Sequence, residues 1–592
     1  MTILSSLARA YDRLPGAPPF GYSSEKIGFA ISLNPDGTVA HVIDLRGEGK
    51  KKAPRMMQVP QPAKRTVGIA PNFLWDKTAY VLGVTAGEGK RTAEEHAAFI
   101  RYHRDAIGAT QDAGLKAFLL FLDNWAAAHF APPLWPQEMR DQNVVFVLEE
   151  DRRQNIFLHD RPAAQTAWAG SGAQKGDSPD ALCLVTGEAG PIARLHPAIK
   201  GVWGAQSSGA SIVSFNLDAF ASYNHEQGDN APVSEAATFK YTTALNTFLG
   251  SDSKNRLQIG DASTVFWADA SETSLADDAE SIFSAMLNAV DVVTENQKIG
   301  DILARMRKGE RLSDFNPQLA EGVRFYVLGL APNAARISIR FWFEDTFGRL
   351  AENYQRYIAD TAIVPPPHEG YPPLWRYLVE TAVLGKRENV PPNLAGDWMR
   401  AILAGTRYPA TLLSTVLMRI RADKDINALR VGMLRAVLIR NFDRTKEAPV
   451  SLDPQNDNKG YLLGRLFAAY EKAQTEALGR NVNATIKDKF YGAASATPRR
   501  VFTVLDKGSA NHLSKVGKQN PGRRKYLDTI IGAILDRMSP SNDPFPASLS
   551  AQDQALFGLG YYHQRNAFFI KSDTTASEAT NSDTTATEDA TL

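Results

Sequence analysis

Phe325-Tyr-Val-Leu-Gly-Leu330, the turn Ala-Pro-Asn-Ala (331–334) and Ala335-Arg-Ile-Ser-Ile-Arg-Phe-Trp-Phe343 form the last strand-like pair in the chain. Alternating and β-branched residues on both sides of a short proline-bearing turn predict a hairpin. Beyond residue 346 the period changes. Segments at 346–360, 371–386, 397–404, 409–422, 425–441, 460–478, 521–538 and 549–566 repeat apolar residues at helical spacing, with Pro- and Gly-bearing breaks between them. The fold class expected is therefore an α+β N-terminal region with mixed or antiparallel sheets, followed by an all-α helical bundle. Its divisions are 1–345, 346–571 and an acidic, Ser-Asp-Thr-Thr-Ala-repeating tail, 572–592, with too few apolar residues to fold.

Working back towards the N-terminus, further elements are legible. Residues 1–14 read as a short amphipathic helix, and Ile27–Leu33 and Thr38–Leu45 as a hairpin around Asn34-Pro-Asp-Gly37. Helices are expected over 92–107, 112–129, 233–249, 275–289 and 293–308. Strands are expected at 143–148, 255–260 and 264–268. Residues 80–84 read as a strand running into glycines and Lys90, but a phosphate loop needs four residues between its glycines and Ser or Thr after the lysine. Gly83 lies six before Gly89, and Arg91 follows Lys90, so ATPase chemistry is excluded.

Composition bounds the rest. The 592 residues suffice for roughly three to four domains. With 44% hydrophobic and 22% charged residues the chain is ordinary globular material. There is no long apolar run and no basic leader, and Cys183 is the single cysteine. The expectation is a cytoplasmic protein with no membrane span, no internal disulfide and no cysteine-based metal cluster. The net charge of +1 hides an asymmetry. Residues 1–110 carry 15 Lys/Arg against 10 Asp/Glu, residues 480–571 carry 14 against 6, and the middle is acidic. Two basic ends around an acidic middle suit a subunit that touches nucleic acid in separate places and protein elsewhere.

Three stretches carry candidate binding chemistry. Gly201-Val-Trp-Gly-Ala-Gln-Ser-Ser-Gly-Ala-Ser211 follows Lys200 and leads into the apolar run Ile212–Phe215. Glycines at 201, 204 and 209 admit φ > 0, and Lys200, Gln206, Ser207 and Ser208 surround that bare backbone with donors. The alternative is a tight turn followed by a buried strand. The segment 60–77 sets Lys64, Arg65, Thr66, Asn72 and Lys77 beside Phe73 and Trp75, which suits base-edge reading with an aromatic wedge, or else a proline-punctuated loop with buried rings. Lys50, Lys51 and Lys52 lie in a glycine-bearing loop, as phosphate contacts or as a solvated charge run.

Catalytic signatures do not stand out. His159-Asp160 is an isolated pair, and His225-Glu226 has no second histidine four residues on. Gly204-Ala-Gln-Ser-Ser-Gly209 is not a nucleophile elbow, since neither serine has glycines two residues away on both sides. No catalytic residue, metal ligand or cofactor is assigned, and the chain reads as a binder.

Several long strings resemble one family. LVTGE (184–188), LHPAIKGVWGAQSSGASIVSFN (195–216), AFASYNHEQGDNAPVSE (219–235), VFWA (265–268) and FGLGYYHQRNAFF (557–569) resemble the Csd-one family. These are the Cas-eight-c large subunits of the type I-C CRISPR surveillance complex, Cascade. KRTVGIAPNFLWDKTAYVLG (64–83) and the Asn-Pro-Asp-Gly hairpin match it too, so the resemblance spans nearly everything but the acidic tail.

The resemblance implies a non-enzymatic role in RNA-guided antiviral defence, in which guide pairing reads the target and protein reads a short PAM duplex. Implied partners are the double-stranded target DNA with its displaced strand and the guide RNA 5′ handle. The backbone, RNA-processing and small subunits and a recruited helicase-nuclease complete the set. On this reading PAM contacts fall on Lys64, Arg65, Thr66, Asn72, Phe73 and Lys77 first, and on Lys200, Gln206, Ser207 and Ser208 second. Lys50, Lys51 and Lys52 would grip neighbouring phosphates, and Arg499, Arg500, Arg523, Arg524 and Lys525 the displaced strand. The family also implies a small subunit made from an internal start, for which Met399, Met418 and Met433 are the methionine candidates. Two alternatives stay open: a metal-dependent nuclease using His159, Asp160, His225 and Glu226, and a purely architectural subunit.

Overall fold

The computed structural model describes residues 2–47, 52–63, 68–170, 180–215, 217–287, 297–368, 370–479 and 483–569. It divides into two compact units. The first comprises Met1–Ala198 with Val213–Leu245, and the second Ile199–Ile212 with the chain from Asn246 onward.

The first unit is built on Asn143-Val-Val-Phe-Val-Leu148, a strand apolar on both faces because both are covered. Its strands are β1 (Tyr22–Ile27), β2 (Phe29–Leu33), β3 (Val39–Asp44), β4 (Arg55–Pro60), β5 (Trp75–Lys77) and β6 (Asn143–Leu148). A four-stranded sheet runs β3-β2-β6-β5, with β2 and β6 parallel and the other pairs antiparallel. The pair β1–β4 is antiparallel. Phe29, Ile31, Leu33, Val144, Phe146 and Leu148 share a core with Phe99, Phe118 and Phe121 of the helices Thr92–Ile107 and Ala113–Asn124. Ala30, Val145 and Val147 face the other way, onto Ile27, Met57, Val59 and Trp75. A short antiparallel pair, β7 (Asp180–Leu182) and β8 (Ala189–Pro191), and the start of the helix Glu235–Phe248 complete the unit.

The second unit is led by an antiparallel sheet in the order β12-β11-β10-β9, with β9 (Arg256–Ile259), β10 (Ala262–Asp269), β11 (Arg324–Asn333) and β12 (Arg336–Thr346). Here the expected division at 345 needs correction. One continuous apolar core runs from Leu257 and Phe266 through Phe325 and Phe347 to Trp398, Phe467 and Tyr561. The last sheet therefore belongs to the helical unit, because its inner face is what the first helices of the bundle cover. The change of period at 346 marks a change of secondary structure, not of domain.

Most expected elements are present, beside short strands and helices that the sequence reading did not assign. Residues 78–82 are a helix closed by Gly83 at φ +67, not a strand; a four-residue apolar run does not distinguish the two. Ile212–Phe215 forms no strand and is half-buried. Two helices, Ile486–Ala496 and Pro498–Gln519, occupy the basic stretch between the helical segments 460–478 and 521–538. Val501, Phe502, Leu505, Ser509, Leu513 and Val516 make only a narrow buried stripe, diluted by Lys, Ser and Gly, so the helical period is weak. The acidic tail and residues 171–179 lie outside the described residues.

One buried group ties the first unit's stability to pH. His103 is wholly buried; its Nδ1–H donates to Phe99 O at 2.8 Å, and its Nε2 accepts from Leu74 N–H at 2.8 Å. That arrangement needs the neutral ring, and burial holds the imidazole down at about 4. The unfolded chain therefore binds an extra proton between about pH 6.5 and 4. The stabilisation is complete above that window and is lost as pH falls through it, amounting to about 3 kcal/mol at this site. Denaturant unfolding measured from pH 7 to 4 should show the decline, and His103→Gln should flatten it by one proton's slope.

Candidate nucleic-acid interface

The segment 199–210 is a closed loop in the second unit. Ile199 and Ala210 pair at its neck through two backbone hydrogen bonds of 2.9 Å. Gly201, Gly204 and Gly209 take φ of +83, +76 and +89, the left-handed turns that the glycine spacing predicts. A Cβ at 201 would lie 2.6 Å from Leu249 O, so the loop base packs backbone to backbone.

Side-chain anchors hold the loop on the sheet. Val202 is buried, Trp203 N–H donates to Ser263 Oγ at 2.8 Å, and Lys200 N–H donates to Asn246 Oδ1 at 2.8 Å. Ser211 continues it onto the edge strand β12, accepting from Ile337 N–H and donating to Ala335 O. What remains outside is a set of donors and one ring. Lys200, Gln206, Ser207 and Ser208 are exposed, and the Trp203 indole is 65% exposed. A rigid loop carrying an open aromatic face beside amide, hydroxyl and ammonium donors can stack on a base while bonding base edges or phosphates. Trp203 was not among the candidates; the signal for it is a bulky aromatic in Gly-Val-Trp-Gly, between two glycines.

The segment 60–77 is corrected in part. Phe73 is fully buried, stacked between Trp168 and His103 with centroids 5.5 and 5.7 Å away, so it is core and not a wedge. Asn72 is buried as well; its Oδ1 accepts from Ala63 N–H at 3.0 Å, and its backbone N–H donates to Asp76. Lys77 is exposed at the end of β5. Lys64, Arg65 and Thr66 lie outside the described residues, as do Lys50 and Lys51. Lys52 is exposed beside Asp44, with Nζ 3.3 Å from its carboxylate.

The basic end forms a second surface. On the helix Pro498–Gln519 the exposed Arg500, Lys507, Lys515 and Lys518 fall within roughly 80° of arc and along about 27 Å of axis. Asp506, by contrast, accepts from Tyr470 Oη at 2.7 Å, away from that face. Arg499 reaches Asp543 at 2.7 Å, Arg523 reaches Glu476 at 3.0 Å and Arg524 reaches Asp528 at 3.2 Å. These pairs are at least partly open to water, so exchanging a carboxylate for a phosphate costs little. Lys525 is exposed.

The nuclease candidates do not converge. His159 is buried at 1% exposure and stacks on Phe157, with Asp160 3.7 Å from its Nε2; burial lowers its pKa. His225 and Glu226 are exposed in a separate loop. Among the described residues no three His, Cys, Asp or Glu side chains are grouped to hold a metal ion. No helix among them is long and apolar enough to cross a membrane.

Compared with known proteins, the chain finds no match among curated sequences. It does match the family model for CRISPR-associated protein (Cas_Csd1) over residues 7–569. That span takes in both units, the closed loop and the basic helix face, and the chain belongs to the Cas_Csd1 family of CRISPR-associated proteins.

Proposed function

We propose that this chain is the large subunit of a type I-C CRISPR surveillance complex, Cascade. On this reading it recognises the PAM in double-stranded target DNA, helps open the duplex for guide pairing, and offers a docking site to the helicase-nuclease. It is a binder without cofactor or catalytic centre that contacts the guide RNA 5′ handle, and the backbone and small subunits share the phosphate load. The observation that carries the reading is the closed loop 199–210, in which Trp203 stands exposed among Lys200, Gln206, Ser207 and Ser208 on a pinned backbone. PAM reading needs a few donors at base edges and one ring against the adjacent step, not a large basic surface, which is compatible with a net charge of +1. The displaced strand follows the face of Arg500, Lys507, Lys515 and Lys518.

The internal-start candidates all fall inside helices: Met399 in Pro392–Ala404, Met418 in Ala410–Asp423 and Met433 in Ala428–Phe442. A small subunit begun at Met399 would keep the later helices whole.

The test is target-duplex binding by the assembled guide complex at fixed salt, on PAM-correct and PAM-scrambled DNA. Trp203→Ala is expected to weaken binding of the correct duplex by about 10- to 100-fold, as expected for a lost stacking contact, and to change the scrambled duplex little. Gln206→Ala should narrow the preference further. Equal binding of both duplexes by the unaltered complex would establish the architectural alternative instead.

A further inference from the structure

Residues 180–198 and 213–233 form a zipped lobe within the first unit. Leu184 N–H donates to Pro232 O and Ala193 N–H to Val233 O, each at 2.9 Å. Arg194 O accepts from Gly228 N–H, and its Nε donates to Gln227 Oε1 at 2.6 Å. Cys183, Ile192 and Val233 are buried beneath. Large apolar side chains on this lobe stand open to solvent: Leu182, Leu184, Leu195 and Leu217 are each about three-fifths exposed, and Tyr223 is 94% exposed. Isolated exposed leucines need no explanation, but five large apolar side chains on one small lobe do.

The Tyr223 loop is also held in a costly conformation. Tyr223, Asn224 and Gln227 have φ of +52, +63 and +45. For a tyrosine this persists only where neighbours over-determine it. Asn230 does so: its Oδ1 accepts from Ser222 N–H at 3.0 Å, and its Nδ2 donates to His225 O and Gln227 O at 3.1 Å each. Charge then decides what the lobe can meet. Residues 180–198 and 213–233 carry Asp180, Glu188, Asp218, Glu226 and Asp229 against Arg194 alone. Such a surface repels phosphates.

We infer that this lobe is a protein-docking surface, with Tyr223 entering an apolar pocket that is rimmed by Lys and Arg on another subunit of the assembly. A rigid exposed tyrosine is the kind of anchor that interface hot spots favour, neighbouring leucines can exclude water around it, and an excess of acidic residues steers a basic partner. This proposal rests on the surveillance-complex reading above.

Hydrogen exchange of the wild-type chain, alone and in the guide complex, tests it together with the variants Leu184→Asp and Tyr223→Asn. Asparagine tolerates φ > 0, so the second variant keeps or raises the thermal stability of the chain while removing the ring. The expected result is protection of 182–195 and 217–231 on assembly without DNA. Either variant should assemble about tenfold or more weakly, and Glu226→Lys should weaken assembly most at low salt. Protection that appears only when target duplex is added would overturn the proposal in favour of a nucleic-acid contact. Wild-type chain that joins the complex while both variants join equally well overturns it alone. Wild-type chain that never joins overturns the subunit reading and this proposal with it.

Discussion

Gly464→Leu should remove the cooperative unfolding transition of the helical unit, whereas Gly508→Ala should raise its midpoint. The helices Lys459–Leu478 and Ala551–Ala567 cross with backbones in contact. A Cβ at 464 would lie 2.8 Å from Phe557 C and Tyr561 N and closer still to Phe557 O; one at 560 would press equally on the Tyr461 carbonyl. No rotamer relieves a clash with backbone, so the helices must separate. Phe467, Phe557 and Tyr561, packed across the crossing, separate with them. Overpacking of this kind costs roughly 3 kcal/mol or more. Gly508 sits in the middle of a 22-residue helix with nothing within 4 Å of an added Cβ. Alanine there gains helix propensity of up to about 1 kcal/mol. Denaturant unfolding followed by circular dichroism distinguishes the pair; equal behaviour would mean that the crossing is looser than described. The same contact explains FGLGYYHQRNAFF at 557–569: its glycines, tyrosines, His563 and Gln564 are helix-crossing and core residues, not a site.

Asp360→Ala is expected to destabilise the bundle by about 3–5 kcal/mol, the usual cost of stranding a buried charge. Asp360 Oδ2 accepts from Arg440 Nε at 2.8 Å and from Tyr408 Oη at 2.9 Å, and its backbone O, with Ala359 O, accepts from Arg435 Nη1. The side chains of Asp360, Arg440, Tyr408 and Arg435 are at most 9% exposed. Without the carboxylate two guanidiniums remain buried, and arginine cannot shed its charge. Arg440→Ala should cost less. Burial already pushes the Asp360 carboxyl upward, against the pull of Arg440, so losing the arginine pushes it further up and lets proton uptake offset part of the cost. Unfolding free energies at neutral pH, with Asp360→Ala the more damaging of the two, are the check; the reverse order would refute this account.

Much of the architecture is local and therefore legible in the chain. Asn-Pro-Asp-Gly closes β2 onto β3 because Gly37, at φ +83, supplies the left-handed turn. Asn143–Leu148 reads as a buried strand because both of its faces are apolar. Gly201, Gly204 and Gly209 bend the loop as their spacing implies. The family strings likewise sufficed to place the chain. Tertiary packing decided what no local pattern carries. Phe73 and Trp203 are both aromatics beside glycine or proline and polar donors, yet one is sealed between Trp168 and His103, and the other stands open to solvent. Burial is set by which distant elements arrive to cover a ring, and residues near in sequence do not encode that. For the same reason the last sheet joined the helical unit: its inner face is apolar on any reading, and only the fold determined that the bundle would bury it.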